Sequence, residues 1–270
     1  MTESESWAVR SRGTADGIVL AVDFPGTGRP EAGFTELASK WDSPYALWET
    51  LPPPLASGVA LSGAEWIDRW LEDVRESGRP VRAVMAFCAS SPYAAILSDR
   101  VAQFQDTVPR TIFFDPDIPQ EFFLHWQYQM ITERFLTELT PEEKSAARER
   151  GERARETATD VTALGTELIA LFREYGAPAC RRAGLDAERT KEYLAGFTTY
   201  ISFVCGSSQV ATDDPDALVR VWSKATAVTS AGSGEAARLV GEQVAFPDVA
   251  HADLLGHEKV AAAVANLLAD

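Results

Sequence analysis

Apolar residues fall in short continuous runs as far as Asp115, and then at helical spacing over a long middle stretch. Residues 17–23 (GIVLAVD) are an apolar run stopped by Phe24-Pro25-Gly26-Thr27-Gly28, the pattern of a buried strand feeding a tight loop. The segments 45–48, 81–87 (VRAVMAF) and 111–114 predict three more strands, the last ending at Asp115-Pro116. Between them, 34–41 predicts a short helix. Trp66, Ile67, Trp70, Leu71 and Val74 repeat at helical spacing behind a Ser62/Glu65 capping box, so 63–77 predicts an amphipathic helix that Gly78-Arg79-Pro80 ends. Residues 89–103 also read as helix. Strands alternating with helices at this spacing imply a parallel sheet covered by helices, the α/β class.

The rhythm changes after Pro119. Residues 120–137, 141–157, 160–176 and 186–204 have helical composition, with Thr140-Pro141-Glu142-Glu143 as an N-terminal cap carrying Pro at its first helical position. Sheet patterning resumes at 217–222 (ALVRVW) and 243–246, and a helix over 257–269 closes the chain. The expected organisation is a core of 1–118 and 206–270 interrupted by a helical insertion, 119–205. No internal repeat or low-complexity segment stands out.

Composition narrows the function. The 270 residues are 46% hydrophobic and 24% charged, which is ordinary globular usage and excludes a disordered or fibrous chain. Forty acidic against 25 basic residues give a formal charge of −15, which argues against nucleic-acid or anionic-membrane partners. The acidic start MTESES is no signal peptide, and the apolar stretches are too short to span a bilayer, so a cytoplasmic protein is expected. Cys88, Cys180 and Cys205 are too few and too widely spaced for a disulfide framework or a zinc site, and no metal or cofactor is expected. The patterning sets no oligomeric state.

One cysteine stands where chemistry would be displayed. Ala86-Phe87-Cys88-Ala89-Ser90 follows the 81–87 strand and opens the next helix. A nucleophile on such a turn needs small residues two before and two after, because its backbone is strained. Cys88 meets that requirement; Ser90 and Ser91 would place Pro92 or Tyr93 at the crowded position. Of the three histidines, His251 lies in a loop between the last strand and last helix and is the candidate base, while His257 reads as a helix cap and His125 as a packed residue. The acid follows by elimination: 223–234, after the presumed penultimate strand 217–222, holds no carboxylate, whereas 111–114 ends directly in Asp115, with Asp117 as the fallback. Nucleophile, acid and base then run in the chain order of an α/β-hydrolase. Ala89 would offer one oxyanion-hole amide, and the Gly26-Thr27 stretch the other.

With these residues in place, the chain resembles the thioesterases of nonribosomal peptide and polyketide synthases, terminal or type II. The resemblance rests on the Phe24-Pro25-Gly26-Thr27-Gly28 loop, the Cys88 elbow, Phe113-Phe114-Asp115, and His251 followed by Leu254-Leu255. It implies an α/β-hydrolase fold whose inserted helices form a lid. It also implies a thioester donor carried on the phosphopantetheine arm of an acyl or peptidyl carrier protein, in natural-product biosynthesis. Most members have Ser in a Gly-x-Ser-x-Gly elbow, so this chain would be a cysteine variant.

A cysteine keeps its acyl intermediate activated, because attack on a thioester gives another thioester. The reaction expected is acyl, aminoacyl or peptidyl transfer through a covalent Cys88 intermediate, to water or to an amine or thiol. His251 and the N-terminus of the 89–103 helix are expected to depress the Cys88 pKa. Phe122, Phe123, Trp126, Tyr128 and Met130 would line an apolar acyl channel. The 141–156 helix holds five acidic and five basic side chains, read as mutual salt bridges. Carrier proteins are acidic, so docking needs a local basic patch, for which Arg148, Arg150, Arg153 and Arg155 are the candidate. Two other readings stay open: a catalytically retired hydrolase fold that binds rather than reacts, and a small-ester or lactone hydrolase unrelated to carriers.

Overall fold

The computed structural model describes residues 5–24, 30–53 and 60–269. Its elements, in chain order, are β1 (Trp7–Ser11), β2 (Ile18–Val22), α1 (Phe34–Ala38), β3 (Ala46–Thr50), α2 (Gly63–Ser77), β4 (Val81–Phe87), α3 (Ser91–Ala102) and β5 (Arg110–Phe114). Then come α4 (Glu121–Phe135), α5 (Pro141–Thr157), α6 (Val161–Arg182), α7 (Ala187–Asp213), α8 (Pro215–Trp222), β6 (Thr226–Ser230), β7 (Glu242–Phe246) and α9 (Glu258–Ala269).

The strands make one sheet in the order β1-β3-β2-β4-β5-β6-β7. All neighbours are parallel except β1, which pairs antiparallel with β3 and carries a register shift between Val9 and Ser11. The central strands explain their own composition. β2 is buried throughout, as is β4 except at Arg82, and strands covered on both faces are continuous Val/Ile/Leu runs rather than alternating ones. At the far edge β7 is largely open, and there Glu242 and Gln243 replace apolar residues.

By compactness the chain divides into two units. The first is Met1–Pro52, Ala64–Ile118 and Val210–Asp270, and it contains the whole sheet. The second is Pro53–Gly63 with Pro119–Gln209, a helical unit built on α4, α5, α6 and most of α7. Within it Tyr128 is buried and its hydroxyl donates to the Ala147 carbonyl at 3.2 Å, pinning α4 to α5, and Phe172 stacks on Phe197 with centroids 3.8 Å apart. Among the described residues no helix is long and apolar enough to cross a membrane.

Two expectations need correction. Residues 217–222 form the helix α8, not a strand. Asp214 accepts from the Ala217 amide at 3.0 Å and Pro215 occupies the first turn, so Ala217, Leu218 and Trp222 are buried on one helical face while Val219 is solvent-facing. The real strand, β6, is the Thr226-Ala227-Val228-Thr229-Ser230 run just beyond, whose hydroxyl residues mask an entirely buried strand. β1 has no counterpart in the sequence reading either. It is a short edge strand whose Arg10 pairs with the buried Glu49 of β3.

An aromatic cluster ties β1 and two helices together in the first unit. Trp70 of α2 lies 5.6 Å from Trp66 and meets Tyr93 of α3 edge-on at 5.1 Å, and its carbonyl accepts from the indole N–H of Trp7 at 3.1 Å. Trp70→Ala should therefore cost about 3–5 kcal/mol of unfolding free energy, read as a lowered urea midpoint with little change in slope.

Candidate active site

The carboxyl ends of β4 and β5 lie side by side, with Phe87 opposite Phe114 in register. The next residue on each strand departs from ordinary backbone geometry: Cys88 has φ +50° and Asp115 has φ +43°, the only described non-glycine residues in the left-handed region. Such a conformation costs a residue with a Cβ on the order of 1 kcal/mol. It is held here because the chain turns at once. Cys88–Ser90 form a single 3₁₀ turn before α3, and Ser91 Oγ donates back to the Cys88 carbonyl at 2.8 Å, as does the Asp117 amide at 3.2 Å. Ser90 and Ser91 are buried, whereas Cys88 is partly accessible.

Asp115 is buried and both of its oxygens are engaged. Oδ1 accepts from the Ser230 amide at the end of β6 at 2.8 Å, and Oδ2 accepts from His251 Nδ1 at 2.7 Å. Burial pushes this carboxyl pKa up, but the hydrogen bonds from His251 and Ser230 and the charge of the imidazole outweigh it and hold the group below its ordinary value. His251 begins a 3₁₀ turn, His251–Gly256, between β7 and α9. That turn is anchored by Leu254 and Leu255 in the core and by the Ala32 amide, which donates to the Ala252 carbonyl at 2.7 Å. The imidazole stacks on Phe87, centroids 4.7 Å apart and 23° between planes, which sets its ring beside the strand that ends at Cys88. With Nδ1 committed to the carboxylate, Nε2 is the basic nitrogen.

The thiol departs from expectation. Its pKa is pushed up to about 12, not depressed. Burial is the main cause, the Asp117 carboxylate adds to it, and Asp23 and Asp115 contribute further; only the Ala89 amide, which hydrogen-bonds the sulfur, opposes them. Cys88 and His251 are not hydrogen-bonded to each other among the described contacts. Burial decides the sign, and three nearby carboxylates add to it, Asp23 from the segment after β2 and Asp115 and Asp117 from the segment after β5. Burial also raises the Asp117 pKa, opposed by the hydrogen bond from the Ile118 amide and by the charge of His251; among the described contacts the imidazole hydrogen-bonds Asp115.

The remaining sequence candidates fall as follows. The Ala89 amide faces the sulfur, whereas Gly26 and Thr27 lie outside the described residues. Phe122 (72% exposed), Trp126 (44%) and Met130 (44%) form an exposed apolar stripe at i, i+4, i+8 on α4, and Tyr128 is instead part of the helical core. His125 is buried with Nε2 3.3 Å from Glu152, and His257 Nδ1 accepts from the Lys259 amide at the start of α9. Arg148 pairs with Glu133, Arg150 with Glu174 and Arg155 with Glu152, so most of the arginine run is neutralised internally. Cys180 and Cys205 are buried on α6 and α7. Among the described residues no cluster of His, Cys, Asp or Glu is arranged to hold a metal. Sequence reasoning missed Asp23, Asp117 as a charge on the thiol, Ser230 and Phe87; each reaches the site through strand register rather than through any local motif.

No family model matches the chain, and no curated protein does. Solved structures do. The chain is similar to a four-domain nonribosomal peptide synthetase bound to AMP and glycine, at 16% identity and a TM-score of 0.55 over 98% of this chain. It spans only 20% of that synthetase's length. It is also similar to the Vlm2 thioesterase domain bound with a dodecadepsipeptide, at 14% identity and a TM-score of 0.52 over 98% of this chain and 97% of that one. A loop variant of the haloalkane dehalogenase DbeA from Bradyrhizobium elkanii matches at 14% identity and a TM-score of 0.55, covering 97% and 92%. At such identities the likeness is one of fold. The chain has the α/β-hydrolase fold, a mostly parallel seven-stranded sheet flanked by helices.

Two measurements test this electrostatic account. Alkylation of Cys88 by iodoacetamide at pH 8, followed by peptide mass spectrometry, should run well behind a free cysteine; Asp117→Asn, by removing the second-largest cause, should speed it by about three- to tenfold. Because the folded pKa of Asp115 is lowered, its contribution to stability is present above the ordinary value of 3.8 and is lost as pH falls through the folded one. Asp115→Asn should thus be less stable than the parent at pH 6, and the difference should shrink on acidification; a pH-independent difference would show that the loss is not electrostatic.

Proposed function

We propose that this protein is a thioesterase-like acyl-transfer enzyme acting on acyl, aminoacyl or peptidyl thioesters through a Cys88 acyl-enzyme. The observation that carries the reading is the Asp115–His251 hydrogen bond of 2.7 Å beside a cysteine held at φ +50° on a strand-to-helix turn. A left-handed backbone is costly for a residue with a Cβ, and this strained cysteine stands beside a bonded acid–base pair, which is what a displayed nucleophile requires.

In this reading the resting thiol is neutral, and its proton leaves during attack. His251 Nε2 takes the proton as sulfur adds to the thioester carbonyl, Asp115 stabilises the imidazolium that forms, and the Ala89 amide faces the developing oxyanion. When the tetrahedral species collapses, the carbon–sulfur bond to the donor breaks and the leaving thiolate takes the proton back from His251. Water, an amine or another thiol then attacks the acyl-Cys88 thioester, losing its proton to His251, which returns it to the departing Cys88 sulfur. A neutral resting thiol lets acylation follow the serine-type pattern and avoids a standing thiolate exposed to oxidants. The donor is proposed to be a carrier protein bearing a phosphopantetheine thioester. The fold likeness to the synthetase and to the Vlm2 thioesterase domain supports that choice of donor.

The second reading is a retired hydrolase fold that binds without turnover. What favours it is the same thiol: a pKa of about 12 with no hydrogen bond from His251. One experiment separates the two. After incubation with an acyl-pantetheine thioester, intact mass should show one acyl adduct, absent from Cys88→Ala and formed at least about 100-fold more slowly by His251→Ala. No adduct, with thiol reactivity indifferent to His251→Ala, would retire the enzyme reading in favour of binding.

A further inference from the structure

The second helical unit carries an open groove of about 740 Å³ between α6 and the start of α7. Its floor is apolar, with Ala177 of α6 and Leu185 and Leu194 on the opposite side. Its charged lining is of one sign: Arg173 and Arg181 on the α6 wall, and Lys191 on the α7 wall. All three are exposed. In a chain of −15, where acidic residues outnumber basic ones 40 to 25, a groove lined by three cations and no carboxylate is a local inversion of charge.

The pairing pattern sharpens that inversion. Elsewhere in the same unit Arg148, Arg150, Arg155 and Arg182 are each joined to a glutamate. Arg173, Arg181 and Lys191 form no ion pair with any described residue; Arg173 donates only to the Thr198 hydroxyl, at 3.1 Å. Arg173, Ala177 and Arg181 stand at i, i+4, i+8, so the two guanidinium groups arise about 12 Å apart along one helix face, with a small residue between them that deepens the groove.

We propose that this groove docks an amphipathic helix of a partner protein whose flanks are acidic, and that the partner is the thioester donor. Two cationic walls over an apolar floor match a helix that lays its apolar face down and carries carboxylates on either side of it. Carboxylates at i, i+4, i+8 of such a helix repeat at the spacing of Arg173 and Arg181. The general repulsion between an acidic enzyme and an acidic donor is reversed at this one place, which fixes orientation as well as allowing approach. The identity of the partner as donor rests on the thioesterase reading; the chemistry of the groove does not.

The test uses the full chain and two probes. The first is a fluorescein-labelled helical peptide with Leu on one face and Glu on both flanks, followed by anisotropy. It should bind with an affinity that falls as salt rises, and R173E/R181E/K191E should weaken it by about tenfold or more, while the same peptide with Lys for Glu should not bind. The second is turnover of acyl-pantetheine against the same acyl group on an acidic holo-carrier protein: the triple variant should keep the first rate and lose most of the second. Equal peptide binding by parent and triple variant overturns the proposal. So does displacement of the peptide by inorganic phosphate or a free fatty acid at micromolar levels, which would mark a small-anion site, or parent self-association abolished by the triple variant, which would mark an interface between copies. If acyl-pantetheine is not turned over at all, the thioesterase reading fails, and the peptide arm still decides the groove.

Discussion

A carboxylate buried at the end of a central strand must have both oxygens satisfied, and Asp115 meets that demand in a way that organises everything near it. One oxygen takes the Ser230 amide and the other takes His251, so the ends of β5 and β6 and the turn before α9 are joined through a single side chain. The parallel register then does the rest: Phe87 opposite Phe114 puts the residues after them, Cys88 and Asp115, at the same level of the sheet, both with positive φ. An unpaired carboxylate here would be a buried charge without compensation, which costs more than the backbone strain that positions it.

The same geometry sets the character of the thiol. Strand ends that converge at one level bring their carboxylates with them, and Asp117, Asp23 and Asp115 together repel a negative sulfur that is already poorly solvated. A cysteine in this field is held as the neutral thiol. On the helical unit the charge logic runs the other way. Four arginines there are neutralised by glutamates, whereas Arg173 and Arg181, in no ion pair with a described residue, line one groove.

Much of the sheet was legible because its strands are buried on both faces. A strand such as β4 can only be a continuous apolar run, and Pro and Gly mark where it stops, so 81–87 was readable to the residue. The helix α2 was readable for a similar reason, since Trp66, Ile67, Trp70, Leu71 and Val74 leave no other periodicity. The 217–222 segment misled because Val and Trp favour strands, while the Asp214-Pro215 cap that decides the matter is only a short-range signal. β6 was hidden by its threonines and serine, which are buried in the sheet where composition suggests a loop. The elimination that led to Asp115 used the wrong penultimate strand. Asp115 and His251 are nonetheless bonded, because the true strand β6 supplies an amide, not a carboxylate, to that corner.

By itself, then, the sequence determined the alternation of strands and helices, the interruption by a helical segment, and which cysteine, aspartate and histidine stand at element ends. Those are local properties, written in periodicity, capping and small residues. Only the tertiary structure decided that Asp115 rather than Asp117 holds His251, that Phe87 supports the imidazole, and that the Cys88 thiol is held protonated. Desolvation and Coulomb interactions are sums over neighbours in space, and residues far apart in the chain, Asp23 and Asp117 among them, become neighbours of Cys88 only when the strands are in register.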